Sequence, residues 1–336
     1  MLTQAWKHPL ISVVLPAFNE CEALPLVIYA VLTALAEEAV RTEIVVIDDG
    51  STDGTRETMR AVRAQHPNVR YLRFSRNFGK EAALSAGLDA SRGDAVILMD
   101  SDGQHPPSLL KAMLERWRAG HEIVCCVQQA RRERLVKRTM RRWYYNMMEA
   151  GGTVMIPPNA GDFRLLDRKV VNAIKLLPER NRFMKGLYSW VGFRTEYVPF
   201  EAAPRMAGKT KFSWLRLFGL GFTGLTSFTV MPLRLISMAG IVISLLSILY
   251  GFYLLFEHYV LGDHPPGWAT VTVGIMFLSG LQLMALGIIA EYLGRTFEEV
   301  KQRPLYIVAE DSSEPAADVP ALARAGGASP RDEASN

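Results

Sequence analysis

An α/β domain with a mostly parallel sheet, followed by interfacial helices and two C-terminal transmembrane helices, is the architecture this 336-residue sequence predicts. Three observations predict it. Short runs rich in Val, Ile and Leu alternate with helix-length segments between residues 11 and 99. Two uncharged apolar runs, 235–256 and 268–290, are 22 and 23 residues long, and about 20 helical residues cross a ~30 Å hydrocarbon layer. The chain is 49% hydrophobic and 21% charged, which excludes a wholly disordered or collagen-like protein.

The strand candidates are 11–15, 43–48, 69–74 and 95–99, and the helix candidates between them are 23–38, 53–65 and 81–91. This order makes a parallel sheet covered on both faces, with ligands held at the carboxyl ends of the strands. Each run ends in a polar cluster there: Pro16-Ala17-Phe18-Asn19-Glu20, Asp48-Asp49-Gly50-Ser51, Ser75-Arg76-Asn77 and Asp100-Ser101-Asp102. A single cluster reads equally as a turn or cap, and Thr52 or Asp53 at the start of the second helix is a fair capping residue. Four on one edge, three of them acidic, form a site. No strand candidate is followed by GxGxxG, and GxxxxGK[ST] does not occur, so neither a dinucleotide fold nor a P-loop is supported. Asp100 and Asp102, two residues apart after a buried strand, suit one hard divalent cation that also takes a nucleotide's two phosphates.

Charge is distributed unevenly. The net formal charge is +4, yet residues 131–142 alone carry seven basic side chains against Glu133. A patch this local points to an anionic ligand or anionic lipid, not to nucleic acid. Arg131, Arg134, Arg138 and Arg142 recur at helical spacing, so one face presents guanidiniums to a phosphate or to the anionic leaflet. Cys21, Cys125 and Cys126 have neither metal nor disulfide spacing, and the adjacent pair reads as small core residues in a reducing compartment.

The segment joining the apolar runs, 257–267, has no Lys or Arg. Arg205, Lys209, Lys211, Arg216 and Arg234 precede the first run; Arg295, Lys301 and Arg303 follow the second. The positive-inside rule therefore sets both termini and the α/β domain in the cytoplasm, on the inner face of a plasma membrane. Residues 212–228 read as interfacial helix. The first residues lack the hydrophobic core of a signal peptide. The expected segments are 1–204 for the α/β domain, 205–232 for a loop and interfacial helices, and 233–257 and 268–291 for the spans. A short external loop at 258–267, a cytoplasmic segment at 292–310 and a disordered tail at 311–336 complete them.

The stretches 12–20, 47–53 and 99–107 resemble the family 2 inverting glycosyltransferases. Stretches 161–168, 179–186, 205–211, 232–234, 287–295 and 300–306 narrow the resemblance to the polyprenyl-phosphate transferases, such as bactoprenol glucosyltransferases and, more distantly, dolichol-phosphate mannose synthase. The match spans about residues 10 to 308, and it implies a GT-A, Rossmann-like fold. It implies that Pro16, Phe18, Glu20 and Asp48 hold the nucleoside, with Asp49 and Ser101 nearby. It further implies that Asp100, Asp102 and Gln104 bind Mg²⁺ or Mn²⁺ and the diphosphate, and that Arg205 and Lys211 grip the phosphates. Relatives carry an Arg near Gln128 and another three residues on; here Arg131 alone remains for the acceptor phosphate, beside Arg134 and Arg138. Asp162 is the family's candidate beside the sugar, as base or orienting group, against a structural pairing with Arg164 or Arg168.

What the resemblance implies is inverting transfer from a UDP-sugar, UDP-glucose first, to undecaprenyl or another polyprenyl phosphate. The product serves cell-envelope glycans such as O-antigen, and the enzyme is expected to be a homotetramer. N-acetylhexosamine, galactose, mannose and modified arabinose are alternative sugars. A processive synthase would show Gln-x-x-Arg-Trp and more spans, and neither is present. A non-catalytic membrane scaffold is the rival from another class.

Overall fold

The computed structural model describes residues 8–128, 160–180, 182–201, 231–256 and 267–312. Contacts divide the chain into two units. One comprises residues 1–133, 156–211 and 303–336, and the other residues 134–155 and 212–302.

In the first unit the described order begins β1 (Leu10–Ala17), α1 (Ala23–Ala36), β2 (Arg41–Asp48), α2 (Thr55–Gln65), β3 (Val69–Phe74), α3 (Lys80–Ala90) and β4 (Ala95–Leu98). It continues α4 (Leu109–Arg118), β5 (Ile123–Gln128), β6 (Ala160–Asp167), α5 (Arg168–Lys175), α6 (Met184–Trp190) and β7 (Thr195–Phe200), and closes with β8 (Val308–Asp311). The sheet order is β7-β5-β6-β4-β1-β2-β3-β8. The four strands legible in the sequence, β4-β1-β2-β3, are its parallel centre. Antiparallel pairs of β6 with β4 and β5, and of β8 with β3, flank them.

β1 is central and covered on both faces, which is why residues 11–15 form an apolar run with only Ser12 interrupting it. Small residues let α3 lie close to it: Ala82, Ala83, Ala86 and Gly87 are all buried. A Cβ added at Gly87 would stand 2.1 Å from Val14 Cγ1. α2 shows the other solution, burying Thr55, Met59 and Val62 at helical spacing and turning its charges outward. Asp53 does act at the start of α2, since its Oδ1 accepts from the Thr55 amide at 3.0 Å. Cys125 and Cys126 are buried on β5, as core residues.

β8 corrects the sequence reading. The boundary expected at residue 311 falls inside a strand that pairs Leu72 with Asp311 and Arg73 with Glu310. The strap from Tyr306 to Ser312 is held along its length. Tyr306 stacks on Phe74 at 5.0 Å and donates to Asp89 at 2.9 Å. Arg56 meets Glu310 at 2.7 Å, and Ser312 Oγ accepts from the Tyr71 amide at 2.8 Å.

In the second unit α7 (Met231–Phe256) and α8 (Trp268–Lys301) contact each other. Both contain stretches long and apolar enough to cross a membrane, Ile236–Tyr253 and Val273–Lys301. Their large apolar side chains, among them Ile241, Leu249, Phe252, Met276 and Phe277, are exposed. α8 does not stop at residue 291 as expected. Its 34 residues rise about 51 Å, more than the ~30 Å of a hydrocarbon layer, and its last turns, from Glu291 to Lys301, are charged. Most of the expected interfacial segment, the loop 257–266 and the tail from 313 lie outside the described residues.

Candidate active site

The carboxyl ends of β1, β2 and β4 gather the predicted clusters on one edge. The loops after β1 and β2 are tied together by side chains. Asn19, in the left-handed region at φ 57°, accepts from the Thr52 amide at 2.8 Å, while its own amide donates to Ser51 Oγ at 2.9 Å. Thr55 Oγ1 accepts from the Glu20 amide at 3.2 Å. Ser101 Oγ donates to the Pro16 carbonyl at 2.9 Å, joining the β4 loop to the β1 loop. Pro16, Phe18 and Glu20 are half-buried along this edge.

Asp48 and Asp49 face inward. Asp48 is fully buried; Tyr71 Oη donates to it at 2.5 Å, the Ser51 amide at 2.8 Å, and Arg73 Nε lies 3.5 Å away. Arg73 also donates to the Ser51 carbonyl at 3.1 Å. Asp49 accepts from the amides of Phe78 and Gly79 at 2.6 and 3.0 Å, and burial pushes its carboxyl upward against those bonds. The two carboxylates thus brace the loops after β2 and β3. Gly50 is required between them: its φ is +72°, and a Cβ there would meet the Arg76 backbone at 2.5 Å.

Asp100 and Asp102 differ from that pair in being accessible, both half-buried. The Asp100 amide donates to His105 Nδ1 at 3.0 Å, and the His105 ring stacks on Phe163 at 4.5 Å. Burial holds His105 below its ordinary range, so a neutral imidazole accepts that bond. Asp102 Oδ1 accepts from the Gln104 amide at 3.1 Å.

Lys80, the first residue of α3, organises the acid cluster. Its ammonium lies 2.6 Å from Asp100 Oδ1 and 2.9 Å from Asp162 Oδ2, joining the end of β4 to β6. Burial alone would lower the Lys80 pKa; the two carboxylates outweigh it and hold the group above its ordinary value. Asp162 is only 8% exposed. Burial pushes its carboxyl up, but Lys80, Lys185 and Arg164 together bring it down to about 2. Asp162 is therefore ionised at neutral pH and a weak proton acceptor. Its Oδ1 is buried and meets no hydrogen-bond donor among the described residues.

The salt-bridge partner of Asp162 is Lys80, while Arg164 adds its charge without a direct ion pair. Arg168 donates instead to the Gly93 carbonyl at 2.7 Å, and Arg164 donates to the Gly161 carbonyl while lying 3.9 Å over the Tyr188 ring. Lys80 was missed because a local pattern does not show a partner 82 residues away. One signal was available: a lysine at a helix N-terminus opposes the helix dipole, and an unfavourable placement asks for a compensating anion. Tyr71 and Arg73 were missed for the same long-range reason. Arg131, Arg134, Arg138, Arg205 and Lys211 lie outside the described residues.

Among the described residues no group of three or more His, Cys, Asp or Glu forms a metal cage. The donors present still fit a hard cation of the kind that binds through one or two carboxylates and takes its remaining ligands from phosphate and water. Asp100 and Asp102 supply the carboxylates, and the unpartnered Asp162 Oδ1 adds negative charge beside them.

Residues 12–174 match the model of the glycosyl transferase family 2, and residues 231–296 match that of the GtrB C-terminal hairpin. A mostly parallel sheet with acidic clusters on its carboxyl edge, carrying that match, is a glycosyltransferase domain of GT-A fold. An uncharacterized glycosyltransferase of Synechocystis is 43% identical over 301 residues, 89% of this chain and 95% of that one. A bactoprenol glucosyl transferase of Shigella phage SfII is 43% identical over 300 residues, 89% of this chain and 97% of its own. The chain belongs to glycosyltransferase family 2, in the polyprenyl-phosphate branch that includes the bactoprenol glucosyl transferases. Among solved structures, a glucosyl-3-phosphoglycerate synthase of M. tuberculosis is 22% identical, covering 66% of this chain and 81% of that one, with a TM-score of 0.45.

Proposed function

We propose that this chain transfers glucose, with inversion, from UDP-glucose to a polyprenyl phosphate such as undecaprenyl phosphate. The observation that carries the reading is the length of the likeness. At 43% identity the bactoprenol glucosyl transferase matches both the acid-lined domain and the hairpin. The anchor helices keep the domain at the membrane surface where a polyprenyl phosphate resides, with both termini in the cytoplasm.

A phosphate oxygen of the lipid attacks the anomeric carbon in line; the new C–O bond forms as the bond to the UDP oxygen breaks. A phosphate is anionic at neutral pH and needs no strong base, which suits an Asp162 held at about 2. Its part is to orient the sugar and to balance charge, while Lys80 holds it in place. Pro16, Phe18, Glu20 and Ser101 line the nucleoside side, and Asp48 and Asp49 keep that loop in shape from beneath. Asp100 and Asp102, with Gln104, would hold Mg²⁺ or Mn²⁺, which supplies a Lewis acid for the departing diphosphate. Arg205 and Lys211 take the donor phosphates; Arg131, Arg134 and Arg138 take the acceptor phosphate.

The test is a panel of radiolabelled UDP-sugars with undecaprenyl phosphate and the full-length protein in detergent, with Mn²⁺ or Mg²⁺ added or chelated. Glucose is expected to reach the lipid in a metal-dependent manner, and Asp102→Asn is expected to abolish it while membrane insertion persists. Preferred transfer of another sugar would overturn the donor assignment. Full activity of Asp102→Asn would remove the metal-site assignment, and no glycolipid from any donor would favour the scaffold.

A further inference from the structure

We propose that Lys80 is a built-in counter-ion which keeps the donor site from taking up a free divalent cation, so that metal enters only together with a nucleotide diphosphate. The inference rests on the metal assignment above and extends it to the order of binding.

The geometry is that of an ammonium placed between two of the site's three carboxylates. Lys80 Nζ is 2.6 Å from Asp100 Oδ1 and 2.9 Å from Asp162 Oδ2, so it stands on the very oxygen atoms a cation at Asp100 would seek. The Lys80 side chain is 45% exposed and that of Asp100 31%, so the pair lies open to an arriving ligand. Asp162 is the opposite: it is buried, and its Oδ1 meets no hydrogen-bond donor among the described residues. Lys80 also sits at the N-terminus of α3, where the helix dipole disfavours a cation. Only the acids make that position favourable.

With Lys80 in place, a second positive charge arriving at Asp100 meets an ammonium within a few ångströms and finds one carboxylate oxygen already engaged. A diphosphate changes the balance. Its negative charges face both cations at once, so the ammonium can pass from Asp100 to a phosphate oxygen while the metal takes the carboxylate. Metal and nucleotide then bind with positive coupling, each raising the affinity for the other by the same factor.

The experiment compares Mn²⁺ binding by full-length wild-type protein, Lys80→Met and Lys80→Arg in detergent, with and without UDP, read from the electron paramagnetic resonance signal of free Mn²⁺. Wild type is expected to bind Mn²⁺ weakly alone and strongly with UDP. Lys80→Met should bind Mn²⁺ alone about tenfold more tightly than wild type, with the enhancement by UDP reduced, because the ammonium no longer occupies Asp100 Oδ1 or repels the arriving cation. Lys80→Arg, which keeps the charge, should behave as wild type; it also guards against misreading a folding defect, and near-ultraviolet circular dichroism checks all three. If UDP-loaded wild type binds Mn²⁺ but Lys80→Met alone gains no affinity, the counter-ion role is overturned and the metal site stands. If no variant binds Mn²⁺ under any condition, both fall.

Discussion

Replacing Tyr71 with Phe removes a single hydroxyl, and the structure says what that hydroxyl holds. Asp48 has no exposed surface, and its Oδ2 receives the Tyr71 hydroxyl at 2.5 Å. Without it, Oδ2 retains Arg73 Nε at 3.5 Å, too long for a good hydrogen bond, while Oδ1 keeps the Ser51 amide at 2.8 Å. A hydrogen bond to a charged group contributes about 1.5–3 kcal/mol, and the phenyl ring preserves the packing, so the loss should fall in that range. For a domain of this size 1 kcal/mol moves the melting temperature by about 2–4 °C, which gives a fall of about 3–12 °C. Thermal unfolding of full-length protein in detergent, followed by near-ultraviolet circular dichroism, measures it. The pair should also be coupled: once Asp48→Asn has removed the charge, Tyr71→Phe should cost less. Melting within about 1 °C of wild type, or strict additivity in the double variant, would refute the assignment of Tyr71 as the support of Asp48.

Two other variants probe the scaffold and its pH response. Gly87→Ala drives a methyl to 2.1 Å from Val14 Cγ1 and should destabilise by about 1–3 kcal/mol; Val14→Ala should recover part of the loss, and a melting temperature equal to wild type would contradict the close helix–sheet approach. Glu81, which accepts from the Met184 amide at 2.9 Å, is raised to about 7 by burial first and by Asp162 second. Its folded form holds the proton more tightly than the unfolded chain, so this contribution to stability is full below pH 4.5 and is lost as pH rises through 7. Melting temperatures between pH 5 and 8 should therefore slope less in Glu81→Gln than in wild type, and identical slopes would disprove the shift.

The sequence showed the parts of this protein that are written locally. The apolar runs of β1 to β4 end where the structure ends them to within two residues, because a buried parallel strand must be apolar throughout. Asp100 and Asp102 were legible as an accessible acidic pair on the carboxyl edge because they follow the apolar run of β4 directly. What the sequence concealed depends on distant partners. Val308–Asp311 is four residues long and half acidic, so nothing in it declares a strand until β3 supplies the ladder. Asp48 and Asp100 look alike as acids after a strand. Burial separates them, and burial follows from Tyr71 and Arg73 on a neighbouring strand. Lys80 is ordinary in its own segment and becomes central only when β6 brings Asp162 to it.

The late position of β8 has a consequence for how the protein is made. The outer edge of β3 has no partner until the ribosome has passed residue 311, after both apolar helices have been synthesised. Until then an unpaired strand edge lies open on an otherwise nearly complete domain, the kind of edge that recruits wrong partners. A chain cut after Lys301 would keep Asp48, Asp49, Asp100, Asp102 and Asp162 and still lack the strap that seals that edge. The domain begun at the N-terminus is thus finished only by residues that follow both apolar helices.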